Sequence, residues 1–330
     1  MKLSFIIPVY NRPGECSELL QSLSLQGDRD FEVIVVEDGS SISSEDVVEQ
    51  YRDRLDIQYF RKENSGPGPS RNFGSEKARG DYLVFLDSDC IVPEQYVQVL
   101  REALIRNYSD AFGGPDRAHK DFTGFQKAVS FSMTSFLTTG GIRGGNERMG
   151  KFHPRSFNMG FSRHVFELTG GFSSMRFGED VDLSIRILEK GFSTQLIREA
   201  YVYHKRRTSL RQFFKQVHNS GIARINLWKR HPGTLKVVHT FPALFTLGVV
   251  ILIVLTPVLS WFFILPILFH MLLLFLSALI KTGSPGIGFL AIVTSYTQLF
   301  AYGTGFLRAF WRRIIRGRGE FSAFSRNFYK

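Results

Sequence analysis

Two cysteines in a chain of 330 residues, Cys16 and Cys90, are too few for a disulfide framework, and their separation lacks the paired CxxC spacing of a structural zinc site. They read as reduced thiols. A secretory leader is not expected either, since Met1, Lys2, Leu3 and Ser4 run straight into Phe5, Ile6 and Ile7 without the charged start and longer apolar stretch such a leader has. Charge is missing as well, from the whole stretch Phe241 to Ile280. What charge there is sums to +11, and it is unevenly placed. Residues 198–240 carry ten Lys and Arg against one Glu, and residues 308–330 seven against one, so the remainder is slightly acidic. The basic clusters flank the uncharged stretch, which argues against a nucleic-acid partner and for a membrane one.

The uncharged stretch is long enough to cross a hydrocarbon core twice, with a turn near Pro257, Ser260 and Trp261, giving spans at 241–259 and 261–280. A third hydrophobic element, 287–307, is interrupted by Thr294, Ser295, Thr297, Gln298 and several glycines. Lys229, Arg230 and Lys236 precede the spans and Arg308, Arg312, Arg313 and Arg316 follow them. Lys and Arg favour the cytoplasmic side, so an even number of crossings is expected, with the third element interfacial or re-entrant.

The first half of the chain alternates short apolar runs with helix-length segments. Leu3–Val9, Phe31–Glu37, Ile57–Phe60 and Tyr82–Leu86 read as strands. That alternation predicts a largely parallel sheet covered by helices, whose ligands bind beyond the carboxyl ends of the strands. The residues that follow those strands are polar: Pro8-Val9-Tyr10-Asn11-Arg12, Glu37-Asp38-Gly39-Ser40 and Asp87-Ser88-Asp89. Asp38 with its Gly and Ser equally suits a turn and a helix cap. Asp87 and Asp89 repel each other unless a cation or hydrogen bonds compensate, and a divalent ion bridging phosphates is the usual reason to assemble such a pair; a solvated loop is the alternative.

These segments, with Gly66-Pro67-Gly68-Pro69-Ser70-Arg71-Asn72-Phe73-Gly74, resemble the family 2 inverting glycosyltransferases of GT-A fold, over roughly residues 1–220. The resemblance implies an α/β GT-A domain (Rossmann-like, mostly parallel) followed by a helical membrane region. It implies that Pro8, Tyr10, Asn11, Glu37, Asp38, Arg71, Asp87, Ser88 and Asp89 face a nucleotide-sugar donor, a UDP-sugar being favoured. Asp38 then meets the nucleotide base, with Glu37 where the family more often has Asp. Asp87 and Asp89 stand at the family's DxD positions, which with His204 imply a divalent metal, Mn2+ or Mg2+. Arg71 suits the donor and an ion pair with these carboxylates equally well. Gly178-Glu179-Asp180-Val181-Asp182 resembles the acceptor-side segment, which makes Asp180 the catalytic base beside Glu179, although acidic residues also decorate helix N-termini for their own sake. Asn158 is implied as an acceptor-side contact.

The implied reaction is a single displacement with inversion at the anomeric carbon, and the sequence has no Ser-His-Asp or Cys-His arrangement that would suggest a covalent intermediate. Processive members carry Gln-x-x-Arg-Trp before their membrane helices; it is absent here, which points to addition of one or a few sugars to a lipid-linked or cell-envelope glycan acceptor. The expected organisation is a glycosyltransferase domain at 1–225, a basic linker at 226–240, a membrane region at 241–310 and a basic cytoplasmic tail at 311–330, with the catalytic domain in the cytoplasm. Thr208–Trp228 reads as an amphipathic helix, on the membrane surface or packed between domains. Asp116–Arg155, with Gly140-Gly141 and Gly144-Gly145, reads as a mobile acceptor loop. Two other functions compete. A nucleotidyltransferase would carry a Gly-rich, basic phosphate loop where this chain has Pro8-Val9-Tyr10-Asn11, and an inactive membrane scaffold would have no reason to keep all three acidic stations.

Overall fold

The computed structural model describes residues 1–117, 119, 122–139, 152–205 and 207–321. They form two compact units: of the described residues, 1–119, 152–204 and 321 belong to one, and 122–139 and 205–320 to the other.

The first unit begins as the apolar runs predict. Strands β1 (Leu3–Val9), β2 (Phe31–Asp38), β3 (Asp56–Lys62) and β4 (Tyr82–Leu86) are joined by helices α1 (Pro13–Ser24), α2 (Glu45–Glu49) and α3 (Pro67–Lys77). They lie side by side in the order β3-β2-β1-β4, all parallel. After β4 come β5 (Cys90–Ile91), α4 (Tyr96–Arg106), β6 (Ala111–Gly113) and β7 (Asp116–Arg117). Then follow α5 (Gly124–Thr134) and α6 (Phe136–Thr139), which belong to the second unit. The chain returns with β8 (Asn158–Ser162), α7 (Arg163–Thr169), α8 (Glu179–Glu189), β9 (Thr194–Leu196) and β10 (Val202–His204). β8 adds antiparallel to β4, and β6 pairs antiparallel with β8, so β6 and its parallel neighbour β9 run with the leading strands; the main sheet ends β4-β8-β6-β9, and β5-β10-β7 make a small second sheet.

Period-two alternation makes this sheet the middle of three layers. Phe5, Ile7, Val33, Val35, Val84 and Leu86 pack on one face with Leu19 and Leu20 of α1 and Val97 and Leu100 of α4. Ile6, Ile34, Val36, Leu83 and Phe85 pack on the other with Val165 of α7 and Leu183 and Ile187 of α8. Each such side chain contributes about 1.5–3 kcal/mol by leaving water. Pro8 is tolerated in a central strand because the β1–β4 ladder stops at Ile6↔Phe85, leaving that end of β1 paired on one side only. The strand order reverses there: β2 and β3 lie to one side of β1, β4 to the other, and the carboxyl edge at such a reversal is where open α/β sheets bind their ligands.

The second unit gathers α5 and α6 with α9 (Leu210–Arg230), α10 (Phe241–Val258), α11 (Leu265–Thr282) and α12 (Pro285–Phe310). The turn between α10 and α11 falls at Leu259–Ser260, as expected from Pro257, Ser260 and Trp261. Two stretches differ from expectation. The boundary at residue 225 falls inside α9, and α5, expected in a mobile loop, is a helix with a Thr123–Gln126 capping box whose Ala128 and Phe131 pack with Leu274, Ala278 and Ala291. The pairs Gly140-Gly141 and Gly144-Gly145 of that loop lie outside the described residues.

The third hydrophobic element is neither short nor broken. α12 is a continuous helix of 26 residues, about 39 Å at 1.5 Å per residue, and α5, α9, α10 and α11 all pack against it. Its glycines are the reason: a Cβ on Gly305 would lie 2.1 Å from the His218 carbonyl oxygen, and one on Gly303 2.4 Å from that of Pro242. The glycines and hydroxyls that dilute its hydropathy are what let neighbouring backbones approach.

Candidate active site

Three acidic stations make up the site, two at the carboxyl edge of the main sheet and one at the start of α8. At the end of β2, Glu37 and Asp38 are fully buried. Asp38 accepts hydrogen bonds from Lys62 Nζ at 2.6 Å and from the backbone N–H groups of Ser65 and Gly66 at 2.9 and 2.8 Å. Gly66 stands at φ 97°, a conformation open to glycine, and this lets the loop turn its N–H groups onto the carboxylate. Glu37 accepts from Ser44 N at 2.6 Å, from Tyr59 Oη at 3.3 Å and from the Ser40 hydroxyl. Both carboxylates are thus engaged in shaping the loops around them. Asn11, with φ 52°, receives the Ser41 and Ile42 N–H groups on Oδ1 and so ties the loop after β1 to the loop after β2; Tyr10 lies half-buried beside it.

Arg12 of the first loop reaches Asp89 of the loop after β4, Nη1 to Oδ2 at 2.5 Å. The other oxygen of Asp89 faces His204 Nε2 at 3.1 Å. Asp87, two residues earlier and half-exposed, takes Arg71 Nη2 at 2.6 Å, and Ser88 between them is buried. Arg71 is 3% exposed at its side chain, and its other nitrogen reaches Glu179 Oε1 at 2.9 Å, with the guanidinium 5.2 Å from the centre of the Phe172 ring. One buried cation therefore links the station after β4 to the start of α8. A carboxylate–Arg–carboxylate chain of this kind holds its charges in the interior only because each is answered.

Helix α8 opens on Gly178, at φ 83°, and places Glu179, Asp180 and Asp182 in its first turn. Asp182 is tied to Arg186 one turn on. Asp180 Oδ2 accepts from Arg155 Nε at 2.8 Å and Ser156 N at 3.4 Å, and Oδ1 from its neighbour Val181 N at 2.8 Å. A carboxylate has about four lone-pair sites, so roughly one stays available. Burial alone would push Asp180 up, but the charge and hydrogen bond of Arg155, with the Val181 N–H and the Arg71 charge, outweigh it and hold Asp180 below its ordinary value. Glu179 goes the other way: burial and the adjacent Asp180 charge, against the pull of Arg71, push it up to about 7.

Asn158 does not join this group. It is fully buried on β8, with Oδ1 taken by Tyr96 Oη at 2.6 Å and Nδ2 by the Ala200 carbonyl at 2.8 Å. Three residues without a role in the sequence-based expectations do join it. Arg12 lay inside a quoted motif but nothing in the pattern marked its partner. Arg155 follows a stretch with no local signal. Cys90 read only as a reduced thiol, yet it forms with Asp89 and His204 a set of one sulfur, one carboxylate oxygen and one ring nitrogen, all within 4.8 Å of one another. That donor set fits a divalent ion, and Asp87, held by Arg71, is outside it.

Residues 4–170 match the profile described as Glycosyl transferase family 2. The chain belongs to that family. A protein of Haemophilus influenzae described as an uncharacterised glycosyltransferase is 32% identical over 215 residues, covering 63% of this chain and 70% of that protein. One from Rickettsia felis, described in the same way, is 36% identical over 98 residues, 30% of this chain; the chain spans only 16% of that relative's length. Among solved structures, the mannosyltransferase PcManGT from Pyrobaculum calidifontis, in complex with GDP-Man and Mn2+, superposes with a TM-score of 0.65 at 17% identity over 94% of this chain and 87% of that one. TarS 1–349 from S. aureus, in complex with UDP-GlcNAc, gives 0.51 at 22% identity over 68% and 67%. At these identities the likeness shows the fold: a mostly parallel GT-A sheet with a helical C-terminal region.

Proposed function

We propose that this chain transfers one sugar, with inversion, from a nucleotide-sugar donor to a hydroxyl of a lipid-linked or cell-envelope glycan acceptor at the cytoplasmic face of a membrane. The observation that carries the proposal is the pairing of two acidic stations through Arg71. Asp87 and Asp89 stand where the sheet reverses order, and Glu179 and Asp180 stand at a helix start bound to them by the same cation. Family 2 membership supports the reaction class, and the UDP-GlcNAc and GDP-Man carried by the two structural neighbours support a nucleotide-sugar donor, a UDP-sugar being favoured.

Asp180 acts as the base. Held ionised by Arg155, it takes the proton of the acceptor hydroxyl as that oxygen bonds to the anomeric carbon, while the bond from that carbon to the diphosphate oxygen breaks and the nucleoside diphosphate leaves. Glu179 positions Arg71, and Arg71 fixes Asp87. Asp89 and His204 are the residues that would hold Mn2+ or Mg2+, and such an ion would neutralise charge on the departing diphosphate. Arg12, on the second oxygen of Asp89, adds a fixed positive charge at the same edge.

The membrane part of the proposal rests on exposure. α10 and an 18-residue stretch within Trp261–Thr282 have mean hydropathies of 2.4 and 2.6, yet only 17% of each stretch is buried. A core helix of a water-soluble protein hides its apolar side chains, whereas Leu244, Ile251, Val254, Leu268, Phe269 and Leu272 all face outward. We assign these two helices to the bilayer, and catalysis to the first unit.

The test is donor hydrolysis by the detergent-purified chain against UDP-, GDP- and dTDP-sugars, with Mn2+, with Mg2+ and with chelator. Metal-dependent release of one nucleoside diphosphate is expected. Asp89→Ala should weaken donor binding, and Asp180→Asn should cut transfer about 10^3-fold with donor binding kept. Normal turnover in Asp180→Asn removes the base assignment, and no release or binding with any donor removes the activity.

A further inference from the structure

Cys90 occupies a place that a merely buried thiol would not need. The loop after β4 ends at Asp89, and β5 begins at Cys90, which pairs directly opposite His204 of the antiparallel β10. Directly opposite residues of an antiparallel pair project to the same face, so the register alone sets thiol beside imidazole. The Cys90 thiol donates to the Phe157 carbonyl at 3.4 Å, and the Phe157 ring stacks on His204 with centroids 5.2 Å apart and planes 20° from parallel. A single wall thus fixes both the sulfur and the ring. Asp89 completes the set, with Oδ2 on Arg12 and Oδ1 turned to His204. The second cysteine provides the contrast. Cys16, equally buried, sits on α1 in the apolar core and has no place in the cluster.

We infer that Cys90 is a ligand, so that the ion held by Asp89 and His204 also takes a thiolate and the centre prefers borderline-soft divalent ions, Zn2+, Co2+ or Cd2+, to Mg2+. The inference rests on the proposal that Asp89 and His204 hold a metal. Its chemistry is that of the donors: carboxylate oxygen serves all of these ions, imidazole favours the later transition metals, and sulfur discriminates most strongly against Mg2+. Binding exchanges one proton for the ion, the sulfur–hydrogen bond giving way to a sulfur–metal bond while the proton passes to solvent.

The experiment is a Co2+ titration of the full chain in detergent, followed by absorption and by equilibrium dialysis. A near-ultraviolet thiolate-to-cobalt charge-transfer band is expected to grow in step with bound cobalt. It should vanish in Cys90→Ser and in Cys90→Ala while cobalt is still bound, and persist in Cys16→Ser. Competition should show the preference for Zn2+ over Mg2+ reduced by at least about 10-fold in Cys90→Ser, the smallest loss that removing even an outer-shell partner brings, since a hydroxyl does not discriminate between these ions as a thiolate does. Cobalt bound by the unaltered chain without that band, or a band that survives both Cys90 substitutions, overturns the cysteine's role and leaves the Asp89–His204 site standing. No bound cobalt at all overturns the metal site itself, and the inference with it.

Discussion

Five buried carboxylates of the first unit meet a cation from another part of the chain: Glu32 meets Arg79, Asp38 meets Lys62, Asp89 meets Arg12, Glu179 meets Arg71 and Asp180 meets Arg155, whereas Glu37 is held by Ser40, Ser44 and Tyr59 and Asp182 by Arg186 on its own helix. Among the described residues of the second unit, buried threonines answer backbone instead: Thr246 donates to the Pro242 carbonyl one turn back, and Thr294 to that of Ala128 on α5. The two regions solve one problem in opposite ways. A sheet edge where several loops converge can bring a counter-charge to each carboxylate, and the charges that remain there are poised for chemistry. Helices satisfy their own backbone, and hydroxyls on their packed faces can bond a nearby carbonyl, so such a unit can present an apolar exterior.

Breaking the charge chain in the first unit should have the largest effect on stability. Arg71→Met leaves Glu179 buried without its cation and frees Asp87, and about 3–5 kcal/mol of stability should be lost, read from denaturant unfolding of the purified chain. An unchanged midpoint would mean that the chain of pairs does not hold the edge together. The converse is to place a charge in the second unit. Ile251→Asp on the exposed face of α10 should cost about 3 kcal/mol if that helix lies in a bilayer, seen as loss of the chain from the carbonate-washed membrane fraction. Full retention would argue against that helix as a span.

The smallest effect sharpens the comparison through pH. Glu179 is pushed up to about 7, above its ordinary 4.5, so between those values the folded chain holds a proton that the unfolded chain has released. This contribution to stability is complete below about 4.5 and is lost as pH rises through about 7. Asp180, held low, contributes in the opposite sense: its share is complete above its ordinary 3.8 and is lost as pH falls below that value. Glu179→Gln should therefore flatten the fall in stability from pH 4.5 to 7, measured by unfolding at several pH values, and the same slope in both proteins would mean that Glu179 titrates normally.

The four leading strands, the helices between them, the two apolar helices and the turn near Ser260 were all legible in the residues, because burial has a period and strands, helices and turns each impose their own. Two of the acidic stations were legible too, since Glu37-Asp38 and Asp87-Asp89 close or follow strands whose ends share one sheet edge, whereas Glu179-Asp180 stood out only through the family resemblance. Tertiary structure alone decided the partners. Arg12 and Asp89 are 77 residues apart, Arg71 and Glu179 108, and His204 meets Cys90 only because β10 runs back antiparallel beside β5. It also decided that Asn158 is spent on Tyr96 and Ala200, and that α5 packs with α11 and α12. A periodic pattern tells each side chain whether to be buried, but it carries no address for the group that will answer its charge; that address is written by the order of strands and the path of the crossovers.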